Sequence, residues 1–209
     1  MIKYLIGVDL GQARDYTAIS VIEKIGEDKL HLRHLERLKL GVSFPDQVQH
    51  IKRIYEAIRE RIPPDQIKTG CYGGEIIPIQ LIVDYTGVGR AVVDLMRQEG
   101  MSPIALAITS GNDPRKEGNN WFVPKRELVA VLRLAFETGW LKYSSALPEV
   151  DTMIRELGNF NMTVNIQTGH DSYGAWREGV HDDLVLSVAM AVYAAKETQP
   201  SAPICVSLR

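Results

Sequence analysis

Three apolar segments of the sequence each carry an acidic residue at or near one end, and the segments lie far apart in the chain. Asp9 belongs to the first segment, Asp84 ends the second, and the pair Asp182 and Asp183 opens the third. An acidic side chain in apolar surroundings is costly to desolvate unless a cation or a hydrogen-bond network compensates for the lost water. We therefore expect the fold to gather these acids around a divalent metal.

Strand and helix patterns alternate along the chain and predict an α/β fold. Strands are predicted at residues 3–10, 16–24, 30–40, 79–84 and 103–109, with a strand or hairpin arm at 162–167. Helices are predicted at residues 44–62, 87–98, 124–138, 147–160 and 183–196, the last of them apolar nearly all round and therefore buried.

Two patterns indicate how these elements connect. The first three strands, with a turn at residues 26–28, favour an antiparallel meander. The strand–helix–strand pattern over residues 79–109 indicates a parallel, right-handed unit. Between these elements and the next helix, the Gly-, Asn- and charge-rich residues 110–120 are predicted to form a substrate-facing loop.

Length and composition narrow the function classes. The 209 residues suit one domain, predicted at 1–197 with a loose tail at 198–209. A net charge of -2 is not typical of a dedicated DNA-binding domain, although metal-binding carboxylates would account for part of it. Cys71 and Cys205 lie far apart and form no CxxC pattern, so the sequence indicates neither a disulfide framework nor a zinc ribbon. Without a signal peptide or a membrane-spanning run, we expect a cytoplasmic protein with no membrane partner.

Each acid also has a simpler structural interpretation. Asp9 would suit a buried residue tied to a loop, or the phosphate-binding strand of an actin-like ATPase. Asp84 would suit the cap of the helix that follows it. Of the last pair, Asp182 suits a helix cap, whereas Asp183, just inside the helix, suits a metal ligand. His181 is a candidate proton carrier, or an ordinary structural residue beside the cap.

Four short motifs follow one another along the chain. They are residues 7–11 (Gly-Val-Asp-Leu-Gly) with 15–18 (Asp-Tyr-Thr-Ala), residues 84–89 (Asp-Tyr-Thr-Gly-Val-Gly), residues 121–125 (Trp-Phe-Val-Pro-Lys) and residues 179–184 (Gly-Val-His-Asp-Asp-Leu). Their order, spacing and context resemble those of the nuclease domain of phage large terminases, in the RNase H-like superfamily. The resemblance extends from about residue 3 to about residue 196.

The resemblance implies an RNase H-like α/β fold. Its mixed five-stranded sheet has three antiparallel strands plus two parallel ones, and helices flank it, with a C-terminal hairpin or helix addition. Asp9, Asp84 and Asp183 would meet at one edge of that sheet, with Asp182 as a further metal ligand. Oxygen ligands suit two Mg²⁺ or Mn²⁺ ions, and Asp9 would bridge them. The implied activity is two-metal phosphodiester hydrolysis, which cuts concatemeric viral DNA during genome packaging.

Basic and aromatic residues near predicted loops are candidate contacts to DNA. The basic ones are Arg14, Arg115, Lys116, Lys125 and Arg126. They would bind phosphates without reading sequence, although an ordinary solvated charge is the simpler interpretation of any one of them. Trp121 would either stack on a base or cap the core. Asp15, His170 and Asp171 are candidates for an outer metal contact.

The implied partners are double-stranded DNA and, in a packaging machine, an ATPase motor, a small terminase subunit and a portal. No Gly-x-x-x-x-Gly-Lys-Ser/Thr phosphate loop occurs in this sequence. We therefore expect an isolated nuclease domain or a separately encoded protein that cannot translocate DNA by itself. Three alternatives stay open: an actin-like nucleotide-binding lobe, a non-catalytic binding module of the same fold, and a Holliday-junction resolvase.

Overall fold

A mixed β-sheet with helices on both faces forms the centre of the protein. The computed structural model describes residues 3–13, 15–26, 29–69, 75–87, 89–162 and 181–198. The strands are β1 (Tyr4–Asp9), β2 (Ala18–Ile25), β3 (Lys29–Arg37), β4 (Lys68–Thr69), β5 (Glu75–Ile76), β6 (Ile79–Asp84), β7 (Ile104–Thr109), β8 (Arg115–Glu117), β9 (Asn120–Pro124) and β10 (Leu141–Tyr143). The helices are α1 (Phe44–Arg59), α2 (Gly89–Gln98), α3 (Lys125–Glu137), α4 (Val150–Met162) and α5 (Asp183–Glu197).

The order of strands in the main sheet is β10-β3-β2-β1-β6-β7-β9-β8, and β4 pairs separately with β5. β1, β2 and β3 form an antiparallel meander, and β6 and β7 follow parallel to β1. This central part is the predicted arrangement of three antiparallel and two parallel strands. The predicted total of five strands is wrong, because β10, β9 and β8 extend the sheet to eight.

The prediction of a loop at residues 110–120 is also wrong in part. Residues 110–120, predicted to be a loop, contain β8 and the first residue of β9. All three residues of β8 are exposed, so this edge strand has no apolar alternation for a sequence pattern to detect. Its antiparallel pairing with β9 defines it instead. The predicted arm at residues 162–167 lies outside the described residues except for Met162, which ends α4.

Strand β1 is buried on both of its faces. Ile6 and Val8 pack with α1 and α2, whereas Leu5 packs with α3, α4 and α5 on the opposite face. Because successive side chains in a strand alternate between faces, Gly7 and Asp9 share the face of Leu5. Asp9 therefore points toward the layer that contains α5.

Helix α5 crosses that face and contacts β1 and β2. Its residues from Asp183 to Ala195 are all buried, as its apolar sequence predicted. Within the described part of the chain, no helix is both long enough and apolar enough to cross a membrane.

Candidate metal centre

Strand pairing places the first two predicted acids side by side. β1 and β6 are parallel neighbours with Val8 opposite Val83, so Asp9 and Asp84 occupy the same end of adjacent strands. Carboxyl ends of parallel strands form a common edge of a sheet, which brings side chains from distant segments together. Asp9 is only 8% exposed, so its carboxylate is largely removed from water.

The start of α5 brings the other two acids to this edge. Burial raises the pKa of Asp9 well above its usual range, and the negative charges of Asp84, Asp183 and Asp182 raise it further. Asp9 therefore lies within electrostatic range of the other three predicted acids. We call Asp9, Asp84, Asp182 and Asp183 the acidic cluster.

Asp84 is held in place by the turn that follows β6. Its Oδ1 accepts hydrogen bonds from the Thr86 backbone N–H at 2.8 Å and from Thr86 Oγ1 at 2.6 Å. Thr86 Oγ1 in turn accepts from the Ile108 N–H at 3.1 Å, which connects the turn to β7. Burial raises the pKa of Asp84 even though the two Thr86 hydrogen bonds lower it. The turn-stabilising interpretation and a place in the cluster therefore both apply.

The adjacent acids of α5 have different surroundings. Asp182 Oδ2 lies 2.6 Å from Lys125 Nζ, at the start of α3. Asp183 is 5% exposed, and its Oδ2 accepts no hydrogen bond from the described residues. His181 Nδ1 lies 3.5 Å from that oxygen, and the Arg37 guanidinium lies 3.7 Å from it. Burial raises the pKa of Asp183 to about 6, against the opposing effect of Arg37.

The predicted capping role of Asp182 is wrong in its detail. Asp182 occupies the N-cap position, and its carbonyl accepts from the Leu186 N–H at 2.9 Å. Its side chain makes no capping hydrogen bond. Burial raises its pKa, and the Lys125 ammonium opposes that effect. Lys125 therefore interacts with the acidic cluster itself.

One outer candidate joins the cluster. Ligand atoms of Asp15, His181 and Asp183 all lie within 4.8 Å of one another. His181 also packs against Tyr16, with ring centroids 5.0 Å apart. The sequence pointed only weakly to Asp15, because the path of the loop after β1 is not visible in it. His170 and Asp171 lie outside the described residues.

A buried hydrogen-bond network fixes the loop that carries Asp15. The Gly11 N–H donates to Thr17 Oγ1 at 3.0 Å, and that hydroxyl donates to Gln47 Oε1 at 2.9 Å. Gln47 Nε2 donates to the Gly11 carbonyl at 2.8 Å. Because Gln47 belongs to α1, this helix holds both ends of the loop.

The acidic cluster is chemically suited to a divalent metal. Four carboxylates, with Lys125 and Arg37 as nearby cations, leave net negative charge in a buried place. Asp183 Oδ2 has no hydrogen-bond partner in the described structure, although buried polar atoms usually have one. Carboxylate oxygens are the ligands that Mg²⁺ and Mn²⁺ prefer.

Most predicted DNA contacts make intramolecular interactions. Lys116 lies 2.7 Å from Glu197 and 4.0 Å from the centroid of Trp121. Arg115 stacks on Phe122 at 4.2 Å, and Arg126 donates to the Asn112 carbonyl at 2.8 Å.

Arg14 and Trp121 are two further predicted contacts to DNA. Arg14 lies outside the described residues. Trp121 is 6% exposed and packs against Tyr193, which agrees with its interpretation as a core residue.

Sequence reasoning missed two residues behind Asp183. Glu156, in α4, contacts the start of α5, and Arg37, at the end of β3, pairs with Glu156. Burial raises the pKa of Glu156 to about 7, with Arg37 opposing the shift. A lone Glu in an otherwise amphipathic helix carries no sequence signal. Only its 5% exposure in the folded chain distinguishes it.

Known proteins show similarity over most of this chain. No family profile matches the sequence. The large terminase subunits of Thermus phage G20c and Thermus virus P23-45 are each 28% identical to it over 188 residues, 90% of this chain. The matched region is 31% of each relative, so the chain spans about a third of their length.

Solved structures show the same fold. The large terminase nuclease of phage G20c has a TM-score of 0.57 at 24% identity, covering 91% of this chain and 81% of its own. Its magnesium-bound form gives 0.56 at 23% identity, covering 91% and 80%. A manganese-soaked human cytomegalovirus terminase nuclease domain gives 0.51 at 13% identity, covering 91% and 83%. The chain is therefore similar in sequence to phage large terminases over most of its length and has the RNase H-like fold of terminase nuclease domains.

Proposed function

We propose that this protein is a divalent-metal-dependent DNA endonuclease of the large-terminase type, which cuts concatemeric viral DNA during genome packaging. The observation that carries the proposal is the acidic cluster, in which β1, β6 and α5 bring four carboxylates to one edge of the sheet. Burying like charges together is unfavourable unless a cation compensates. The fold and the sequence similarity to terminases support the same chemistry.

The metal ligands that we propose are Asp9, Asp84 and Asp183, with Asp182 as a fourth. Asp9 suits a shared ligand of two Mg²⁺ or Mn²⁺ ions, because the charges of the other three acids all act on it. Asp183 presents a buried oxygen with no hydrogen bond in the described structure. When bound, divalent ions lower the pKa of water and neutralise charge on the phosphate that is attacked.

The remaining groups of the site orient the ligands and compensate charge. Thr86 fixes the Asp84 carboxylate through two hydrogen bonds. Lys125 lies against Asp182 and reduces the repulsion within the cluster. His181 is partly exposed and lies beside Asp183, with its Nδ1 3.5 Å from Asp183 Oδ2.

Duplex DNA would approach the edge of the sheet at which the acidic cluster lies. The chain has a net charge of -2, so we expect its affinity for DNA to depend on the bound metal. Arg115, Lys116 and Arg126 are proposed phosphate contacts beside this edge. Arg14 is proposed as a further contact from the sequence alone. Proposed partners are an ATPase motor, a small terminase subunit and a portal in the host cytoplasm.

Cleavage of supercoiled plasmid tests the proposal. We expect nicking and linearisation with Mg²⁺ or Mn²⁺, no cleavage with EDTA, and at least about a 100-fold loss in Asp183→Asn, because a ligand that contacts the metal is removed. Asp94→Asn, on the exposed side of α2, is the matched control and should cut normally.

The other outcomes separate the alternatives. DNA binding without cleavage, unchanged by Asp183→Asn, would support a non-catalytic module of the same fold. Faster cutting of four-way junctions than of linear duplex would support a junction resolvase. Cleavage that survives in both Asp9→Asn and Asp183→Asn would exclude the acidic cluster as the site.

A further inference from the structure

Two charged residues outside the acidic cluster lie next to Asp183 and the first turn of α5. Glu156 belongs to α4 and Arg37 to the end of β3, and their side chains are only 6% and 14% exposed. They form an ion pair with each other through Arg37 Nη2 and Glu156 Oε1. A buried ion pair gives little net stability, so its presence here calls for another explanation.

Glu156 caps the helix that carries the metal ligands. Its Oε2 accepts hydrogen bonds from the backbone N–H groups of Leu184 at 3.1 Å and Val185 at 3.2 Å. The first N–H groups of a helix have no partner within the helix, and an acceptor from its own N-cap side chain normally supplies one. Asp182, at the N-cap, makes no such bond. The first turn of α5 is therefore held by a carboxylate from a different helix.

With Glu156 as the cap, the acidic side chains at the start of α5 are not needed to bind the backbone N–H groups of their own helix. A carboxylate that caps its own helix is committed to backbone N–H groups. Because Glu156 does the capping, the carboxylates of Asp182 and Asp183 remain directed into the cluster. The cap also fixes the backbone of the turn on which both of them sit.

Arg37 is held beside Asp183 but makes no hydrogen bond to Asp183 Oδ2. Its guanidinium lies 4.7 Å from the centroid of the Tyr16 ring and pairs with Glu156. Its distance of 3.7 Å to Asp183 Oδ2 is too long for a hydrogen bond. The Glu156 carboxylate thus keeps the positive charge near Asp183 while leaving Asp183 Oδ2 without a hydrogen bond from the described residues.

We infer that Glu156 and Arg37 are positioning residues for the metal centre: Glu156 caps α5 and restrains Arg37, so that Asp183 is presented to the metal in a fixed orientation. This inference rests on the proposed function, because it assumes that Asp183 binds a metal. Neither residue is among the proposed metal ligands or DNA contacts. Partners of this kind typically change metal affinity about 10- to 100-fold when they are removed.

Glu156→Gln tests the role of the charge. The amide oxygen of Gln still accepts the two backbone hydrogen bonds, but its neutral head group no longer restrains Arg37. Arg37 is then free to pair with Asp183 and compete with the metal. We expect the Mn²⁺ dissociation constant, measured by calorimetry on DNA-free protein, to rise about tenfold or more. The half-saturating Mn²⁺ concentration for plasmid cleavage should rise by the same factor, with the rate at saturating Mn²⁺ retained.

Two further variants separate the cap from the charge. Glu156→Ala removes both, so its Mn²⁺ affinity should fall below that of Glu156→Gln. The double variant Glu156→Gln/Arg37→Met removes the cation that competes with the metal and should recover much of the Mn²⁺ affinity that Glu156→Gln loses. Glu99→Gln is the matched control, because Glu99 pairs with Lys52 at 2.8 Å on the opposite layer, far from the acidic cluster in the fold. Its Mn²⁺ affinity should equal that of the wild type.

The result that overturns the inference is a folded Glu156→Gln and Glu156→Ala pair with wild-type Mn²⁺ affinity. A purely structural role would lower the melting temperature of these variants and leave the Mn²⁺ affinity of the folded protein unchanged, which also contradicts it. A wild-type chain that binds Mn²⁺ without cutting any DNA contradicts the proposed function alone, since the Mn²⁺ titrations still decide the inference. A wild-type chain that binds no Mn²⁺ overturns both.

Discussion

The backbone of Gly7 in β1 lies directly against the backbone of Ser187 in α5. A Cβ atom at Gly7 would be 2.0 Å from the Ser187 carbonyl oxygen and 3.0 Å from Ser20 Oγ. Glycine is required here for space, since backbone atoms of a buried helix cannot move aside. This contact brings the strand that carries Asp9 to the helix that carries Asp183, so it sets the geometry of the acidic cluster.

The first prediction concerns this contact. We expect Gly7→Ala to lower the free energy of unfolding by about 3 kcal/mol or more, because an overpacked core must shift backbone. The displaced α5 should also weaken Mn²⁺ binding. Chemical denaturation measures the stability. Gly158→Ala is the matched control: no atom lies within 4 Å of its Cβ position in α4, so it should stabilise by about 0.5–1 kcal/mol. Equal effects of the two variants would contradict the prediction.

The second prediction is a trade between stability and activity at Asp9. The pKa of this acid is raised by burial and by the other three acids, so its charge destabilises the metal-free fold. Asp9→Asn should raise the metal-free free energy of unfolding, because a neutral amide avoids both the burial of a charge and the repulsion from the other three acids. The same variant should lose cleavage and the thermal stabilisation that Mn²⁺ gives the wild type. A metal-free melting temperature below that of the wild type would contradict this account.

The third prediction is a pH dependence of the metal-free protein. The folded-state pKa values of Asp183 and Glu156 are raised to about 6 and about 7, so the folded state binds protons more readily than the unfolded chain. Stability should therefore increase as the pH falls from about 8 to about 5.5 in EDTA. Burial raises the pKa of Glu36, but hydrogen bonds with His34 and His50 lower it by more. The stability that Glu36 contributes is therefore lost as the pH falls, but only below this pH interval.

The matched variant for this pH experiment is Asp183→Asn. Its melting temperature should rise less than that of the wild type over the same pH interval, because one of the acids whose pKa is raised by folding is absent. Thermal melts followed by circular dichroism give both curves. A wild type that loses stability between about pH 8 and about pH 5.5, relative to the variant, would reverse the expected sign.

The fourth prediction concerns the orientation of Asp84. Thr86→Val removes the hydroxyl that donates to Asp84 Oδ1 and accepts from the Ile108 N–H. We expect about a tenfold loss of Mn²⁺ affinity and a loss of about 1 kcal/mol in stability. Thr86→Ser keeps the hydroxyl and should behave as the wild type in calorimetry. If Val and Ser variants bind Mn²⁺ alike, the hydroxyl does not orient the ligand.

Sequence patterns were sufficient to predict the strands of the central sheet and the helix α5 that crosses it. The alternation in residues 30–40 and the apolar runs that contain Asp9 and Asp84 predicted the strands on which the site is built, and the predicted five-strand core is present. They were insufficient at the sheet edges. β8 is three exposed charged residues whose only strand signal is the pairing with β9, and such pairing depends on a distant partner.

The sequence by itself determined which acids would be buried, because an acid within an apolar segment cannot avoid the core when that segment folds. It also determined that Asp182 and Asp183 would open a helix. Only the tertiary structure decided which groups surround them: Lys125 beside Asp182, Arg37 and Glu156 behind Asp183, and Asp15 within reach. These contacts join segments far apart in the chain. Their selection depends on strand order and on the close approach of β1 to α5, and no local periodicity encodes either of them.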